Sequence, residues 1–128
     1  MPVSDPIGDL LTRIRNAQHG RRTECRAPWS KMKQGICDLL KTHGYVANSF
    51  TDGEGILKEI VVTFLDDRLP LELKRVSTPG GRTYVGSSEI RQYLHGAAIG
   101  IISTSQGLLT DKEARQKKLG GEFLCTIS

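Results

Sequence analysis

Residues 98–128 constrain the fold most, because they place a helix with clear end signals between two short apolar segments. Residues 98–102 are rich in β-branched side chains, which is typical of a buried strand, although periodicity alone also admits a buried helix. Residues 122–127 have the pattern of a closing strand, and residues 98–102 are its expected neighbour. This end of the chain is therefore predicted to combine paired strands with a short helix.

The helix between these strands has a signal at each end. Thr110-Asp111-Lys112-Glu113 is a capping box, in which the Thr110 hydroxyl accepts from the Glu113 amide and the Glu113 carboxylate accepts from the Thr110 amide. Gly120 is predicted to end the helix in the left-handed conformation. The start of the helix is thereby predicted to within about one residue.

A polar turn, Ser103-Thr104-Ser105-Gln106-Gly107, is predicted to join the first of these strands to the helix. Hydroxyls and free backbone amides at a strand-to-helix junction can bind phosphate or sugar oxygens. The same side chains can also simply satisfy the hydrogen bonds of a turn, so both interpretations remain open.

Bulk properties narrow the class of protein. A chain of 128 residues can form one domain or two small ones, and its net charge of +4 favours an anionic partner. Cys25, Cys37 and Cys125 are widely spaced, which indicates buried, reduced thiols instead of a zinc site. The sequence has neither a stretch long enough to span a bilayer nor a signal-peptide pattern, so a cytoplasmic protein is expected.

Two amphipathic helices are predicted in the first half. Asp5 and Pro6 begin a helix that Gly20 ends, and Trp29 and Ser30 open a second that Gly44 closes. Their predicted buried residues are Ile7, Leu10, Leu11, Ile14 and Ala17, then Met32, Ile36, Leu39 and Leu40. Lys31 and Lys33 lie in the first turn of the second helix, where they indicate either a nearby anion or stems reaching into solvent.

A strand hairpin is predicted over residues 45–50 and 56–65, and the domain boundary follows it, giving domains 1–66 and 67–128. Beyond the boundary, a strand is predicted over residues 71–76, and the turn Thr78-Pro79-Gly80-Gly81 returns the chain to a short strand containing Tyr84. A brief helix over residues 87–94 is predicted to end at His95-Gly96. A basic loop beside an aromatic ring can contact an RNA backbone, although such loops also serve chain reversal alone.

The chain resembles the bacterial small-subunit ribosomal protein eight family along essentially its whole length. The matching segments are residues 5–16 at the start, Arg75-Val76-Ser77-Thr78-Pro79-Gly80 in the middle, and the 103–107 turn followed by Thr110-Asp111, Glu113-Ala114-Arg115 and Gly120-Gly121-Glu122. The resemblance implies an α+β fold of two small packed domains. The N-terminal domain would be helix-strand-helix-hairpin, and the C-terminal domain mostly β with short helices.

The resemblance also implies a function: direct binding to the central domain of the small-subunit ribosomal RNA, helping the subunit to assemble, beside neighbouring small-subunit proteins. It implies no enzyme activity, cofactor, metal, membrane or small-molecule substrate. The RNA-binding residues implied for the C-terminal domain are Ser103, Thr104, Ser105, Gly107, Gly121 and Glu122, with Ser77, Pro79, Gly80 and Tyr84 from the middle loop. Those implied for the N-terminal domain are Asp5, Arg13, Arg15, Ser30 and Lys31.

Three positions depart from the family pattern. Gln106 and Thr78 stand where a basic residue is usual, and Thr126 stands where tyrosine is usual, so weaker or more salt-sensitive RNA binding is expected. Two other classes of function compete with RNA binding. An enzyme that used Ser103 or Ser105 as its nucleophile would need a base, and no histidine follows these serines in the sequence. A protein-interaction module would use the hairpin edge, and its binding would be insensitive to salt.

Overall fold

A capped helix opens the computed structural model, which describes residues 5–66, 69–94 and 96–128. Helix α1 spans Pro6–His19, and the carboxylate of Asp5 accepts from the Gly8 amide at 3.1 Å, as the sequence predicts. Gly20 is the C-terminal cap, although the left-handed residue is the next one, Arg21. The predicted apolar face of α1 is confirmed, because the buried residues of this helix are Ile7, Leu10, Leu11, Ile14 and Ala17.

Helix α2 spans Lys31–Thr42 and is capped by Ser30, whose hydroxyl accepts from the Lys33 amide. Its predicted buried face is wrong in part, because Met32 is exposed, Leu39 is half-buried, and Lys33 and Cys37 are buried. Lys33 falls at the helical spacing of the face formed by Ile36, Cys37 and Leu40. Its Nζ donates to the carbonyl of Pro28 at 2.8 Å, and burial lowers its pKa, so Lys33 is not the anion contact that the sequence allowed.

The first sheet consists of antiparallel strands in the order β1 (Glu24–Pro28), β3 (Glu59–Thr63) and β2 (Asn48–Asp52). The predicted hairpin is confirmed as the β2–β3 pair, with shorter strands than expected and a 3-10 turn, Gly55–Leu57, between them. Helices α1 and α2 pack on this sheet. Its buried side chains on β1 and β3 are Cys25, Ala27, Ile60, Val61 and Val62.

The second sheet is built around β8 (Gly121–Ile127), which pairs with β4 (Leu73–Arg75), β5 (Tyr84–Val85) and β6 (Ile99–Thr104). Pairing of the closing strand with the segment near residues 98–102 is thus confirmed. Strand β7 (Gly107–Thr110) lies on the far side of β6 and leads into α3 (Asp111–Gln116). A 3-10 turn, Ile90–Tyr93, replaces the brief helix predicted over residues 87–94. The apolar core here consists of Val85, Ile90, Ile102, Leu109, Ala114 and Phe123.

The end of α3 differs from the prediction. The capping box of Thr110 and Glu113 is present, but the left-handed residue after the helix is Lys118, and Gly120 does not have a positive φ. Gly120 is instead a site of close backbone approach, because a Cβ there would lie 2.4 Å from the carbonyl oxygen of Val85. Glycine is needed at this position for space and not for its dihedral freedom.

The chain divides into two compact units, Met1–Leu71 and Glu72–Ser128, each with helical and antiparallel strand elements, so the predicted α+β class is confirmed. Asp67, next to the predicted boundary, lies outside the described residues, and the division after residue 66 stays a prediction. His95, the predicted end of a helix, also lies outside them. Among the described residues, no helix is long and apolar enough to cross a membrane.

The three cysteines are buried free thiols, as expected. Burial raises the pKa of Cys25 to about 11 and the pKa values of Cys37 and Cys125 to about 12. In the unfolded chain the same thiols would titrate at about pH 8.5.

We therefore expect the protein to lose stability in alkaline solution. Above about pH 8.5 the unfolded chain releases its thiol protons, whereas the folded protein keeps them. The stabilisation that is present below this pH is therefore lost as the pH rises towards the pKa values of the folded state. In urea unfolding across this pH range, the free energy of unfolding should fall less steeply with pH for Cys125→Ala than for the parent chain. Identical slopes would show that Cys125 does not contribute to the loss.

Candidate nucleic-acid interface

The polar turn at residues 103–107 is a β-hairpin and not a strand-to-helix junction. Thr104 pairs with Gly107, so Ser105 and Gln106 form a two-residue loop between β6 and β7. The prediction was wrong because Gly107–Thr110 pairs along β6 as a strand before the helix begins. The helix amides are therefore not beside the serines, and the Thr110 amide is already bonded to Glu113.

The hairpin is held by its own side chains. The Thr104 hydroxyl donates to the carbonyl of Gly107 at 2.8 Å and accepts from the Gln106 amide at 3.1 Å. Gly107 has a φ of 98°, which favours glycine at this position. Within the described part of the chain, the hydroxyls of Ser103 and Ser105 have no hydrogen-bond partner. Thr104 and Gly107 thus shape the turn, while Ser103 and Ser105 keep donors and acceptors available.

Ser103 belongs to a row of side chains that crosses the sheet. It lies opposite Leu108 on β7 and Glu122 on β8, and Glu122 lies opposite Tyr84 on β5. Residues directly opposite one another on neighbouring strands project from the same face. Ile102, which precedes Ser103, belongs to the apolar core, so this row faces away from that core.

Gly121 allows the two central strands to approach at the hairpin. A Cβ at this position would lie 2.0 Å from the carbonyl oxygen of Ser103 and 2.9 Å from its carbonyl carbon. No side chain fits in that space without moving backbone. Gly121 therefore sets the position of Ser103 relative to β8.

Glu122 anchors the middle loop beside this row. Its carboxylate accepts from the buried hydroxyl of Ser77 and from the guanidinium of Arg82 at 3.0 Å. The Ser77 hydroxyl also accepts from the Thr83 amide at 3.2 Å. Ser77 has no exposed surface, and its hydroxyl forms both of these hydrogen bonds within the protein. Its side chain therefore anchors the middle loop, and its predicted RNA contact stays a prediction. Sequence reasoning missed Arg82 as a partner of Glu122, because the two residues lie 40 positions apart.

The rest of the middle loop is accessible. Thr78 and Gly81 exchange backbone hydrogen bonds of 3.1 and 3.2 Å, which confirms the predicted turn. Pro79 and Gly80 at its tip are exposed. Tyr84 keeps 69% of its surface exposed at the end of the row that contains Ser103. The accessible features in this region are thus the loop tip, an aromatic ring and the hairpin hydroxyls.

The remaining predicted site residues lie in the Met1–Leu71 unit. Asp5 and Ser30 use their side chains to cap α1 and α2. Arg13 forms an ion pair with Asp9 at 2.8 Å and donates to the carbonyl of Arg26 at 3.1 Å. Arg15 is half-buried, whereas Lys31 is exposed at the first position of α2. Lys31 is the cation of this group that is most open to a ligand.

Comparisons with known proteins cover nearly the whole chain. A family model described as Ribosomal protein S8 matches residues 5–128. A relative from Anaeromyxobacter dehalogenans, named small ribosomal subunit protein uS8, is 42% identical over 131 residues, covering 99% of each chain. Relatives of the same name from Citrifermentans bemidjiense and Geobacter sulfurreducens are 41% and 42% identical over 132 residues, with 99% of each chain covered.

Proposed function

The chain belongs to the ribosomal protein S8 family, whose members are structural and not enzymatic, and on that premise we propose its function. It is a component of the small ribosomal subunit that binds directly to the central domain of the small-subunit ribosomal RNA and helps the subunit to assemble. Its partners are this RNA and neighbouring small-subunit proteins.

The observation that carries the RNA-binding proposal is the pair of unbonded hydroxyls on a fixed hairpin. Within the described residues Ser103 and Ser105 have no hydrogen-bond partner, while Thr104 and Gly107 hold the backbone between them. Small donors on a rigid strand pair can approach the backbone and base edges of an irregular RNA loop. Regular RNA duplexes hide their base edges in a deep, narrow groove, so an irregular loop is the better fit.

The candidate residues divide into those that we propose to contact RNA and those that hold the contact surface in shape. Ser103, Ser105, Pro79, Gly80 and Tyr84 form the proposed contact surface of the C-terminal unit, with Lys31 and Arg15 as cations of the N-terminal unit. Thr104, Gly107, Gly121, Glu122 and Ser77 hold that surface in shape, and Asp5, Arg13 and Ser30 stabilise the helices of the N-terminal unit. Lysine and arginine supply the salt-dependent part of the affinity.

The decisive experiment compares two RNAs at two salt concentrations. One RNA carries a helix with an internal loop from the central domain, and the other is a fully paired control of equal length. Binding that keeps its preference for the looped RNA at the higher salt supports the proposal. Equal binding to both RNAs that disappears at the higher salt would show only nonspecific electrostatic binding by a basic surface. Salt-insensitive binding to proteins and not to RNA would favour a protein-interaction module.

Replacing Ser105 with alanine is expected to weaken binding to the looped RNA by about 1–3 kcal/mol, because an RNA acceptor or donor loses its partner. Thermal stability should stay nearly unchanged, since Ser105 is exposed and its hydroxyl makes no hydrogen bond within the described chain. Ser88→Ala, which removes another exposed serine of the same unit, is the matched control. Equal affinities of the Ser105→Ala variant and the parent protein would exclude a contact by this hydroxyl.

A further inference from the structure

An exposed indole lies at the junction between β1 and α2. Trp29 is the single tryptophan of the chain and keeps 38% of its surface exposed. Its Nε1 donates to Oε1 of Gln34 at 2.6 Å, and its amide donates to the carbonyl of Lys58 at 3.0 Å. Hydrogen bonds therefore hold both the backbone amide and the indole nitrogen of Trp29. Little conformational entropy is lost when a ring held in this way binds a partner.

Two lysines accompany this ring. The Nζ of Lys58 lies over one face of the Trp29 ring, 4.2 Å from the ring centroid, and Lys31 is exposed two residues further along the chain. Within the described residues, neither lysine forms an ion pair with a carboxylate. The acid next to Lys58, Glu59, lies 3.6 Å from the guanidinium of Arg26 instead. One face of the ring thus carries a positive charge and a second charge lies nearby, and no carboxylate in the described ranges pairs with either.

We infer that Trp29, Lys31 and Lys58 form a second RNA contact, in which an unpaired base stacks on the indole face opposite Lys58 and the lysines bind the flanking phosphates. The inference rests on the proposed function, because it takes RNA as the partner. An aromatic ring with adjacent cations is the combination that binds single-stranded nucleic acid, since every base has a π-face and every nucleotide has a phosphate. A protein partner would require an acidic surface matched to these lysines, whereas any unpaired strand already carries the complementary charge.

The single tryptophan makes this surface directly observable. Titration with an oligoadenylate of about ten nucleotides should quench the Trp29 emission, and an RNA duplex of equal length should quench it much less, because base pairing holds its bases inside the helix. Trp29→Leu keeps an apolar side chain but loses the π-face, and is expected to weaken oligoadenylate binding about 5- to 100-fold by fluorescence anisotropy of a labelled strand. Trp29→Phe keeps an aromatic ring and should retain most of the affinity.

The charges are tested separately. Lys58→Met should lower the slope of log K against log salt by about 0.7 for the single strand, because one phosphate contact is lost. Lys41→Met is the matched control, since Lys41 is an exposed lysine in the last turn of α2. An equal change in both variants would mean that only net charge matters, and would overturn the assignment of Lys58.

The two proposals can fail independently. Unchanged Trp29 emission with oligoadenylate, together with parental affinity of Trp29→Leu, would overturn this inference while leaving the looped-RNA preference and its Ser105 dependence intact. Loss of that preference with quenching still present would overturn the proposed function instead. A Trp29 response to purified small-subunit proteins and not to RNA would assign the surface to a protein partner.

Discussion

Replacing Gly121 with alanine is expected to lower the free energy of unfolding by about 2–4 kcal/mol. The added methyl would lie 2.0 Å from the carbonyl oxygen of Ser103, and the obstacle is backbone that cannot rotate away. Strands β6 and β8 must separate at this point, which weakens their hydrogen bonds and moves the hairpin that carries Ser105. Urea unfolding of the full chain measures the stability, and binding to the looped RNA should weaken in the same variant.

Gly80→Ala is the control for this substitution. Gly80 lies in the same unit, and nothing lies within 4 Å of the position that its Cβ would take. A methyl there is expected to change the stability by less than about 0.5 kcal/mol. If both variants were equally stable, the close approach of β6 and β8 at Gly121 would not be a constraint on the fold.

Replacing Glu122 with alanine is expected to cost about 3 kcal/mol of stability, because two partners lose their acceptor together. The buried hydroxyl of Ser77 would have no acceptor for its proton, and the guanidinium of Arg82 would lose its carboxylate. The Thr78–Gly81 turn would then be held less firmly, so the affinity for the looped RNA should also fall. Glu122→Gln keeps an acceptor for Ser77 and should recover much of the stability.

Glu72→Ala provides the comparison for a solvated ion pair. Glu72 lies 3.3 Å from Lys74 and both side chains are 66% exposed, so its loss should cost no more than about 1 kcal/mol. Thermal or urea unfolding of Glu122→Ala, Glu122→Gln and Glu72→Ala separates the buried network from a surface pair. Similar values for the two alanine variants would show that Glu122 does not anchor the middle loop.

The candidate site was predictable only as a set of residues. The resemblance selected the hairpin, Gly121 and Glu122, but it did not distinguish residues that can touch RNA from residues that hold the surface in place. That distinction depends on burial and hydrogen bonding, which place Ser77 inside and leave Ser105 outside. Trp29 was seen in the sequence as the opening of a helix, and its exposed ring beside Lys58 emerged only from the fold.

The sequence by itself determined where the helices begin. Asp5 with Pro6, Ser30, and Thr110 with Glu113 act on amides within three or four residues, so their effect does not depend on the rest of the fold. The apolar spacing of α1 likewise fixed its buried face. Local interactions of this kind can be read from neighbouring letters.

The tertiary structure decided what depends on residues far apart in the chain. Gly107–Thr110 is a strand because β6 offers a free edge to pair with, and a four-residue segment carries too little pattern to reveal this. Gly121 is required by the backbone of Ser103, Gly120 by that of Val85, and Ser77 is buried against Glu122. Strand pairing and burial are set by contacts between distant segments, and no local propensity specifies those contacts.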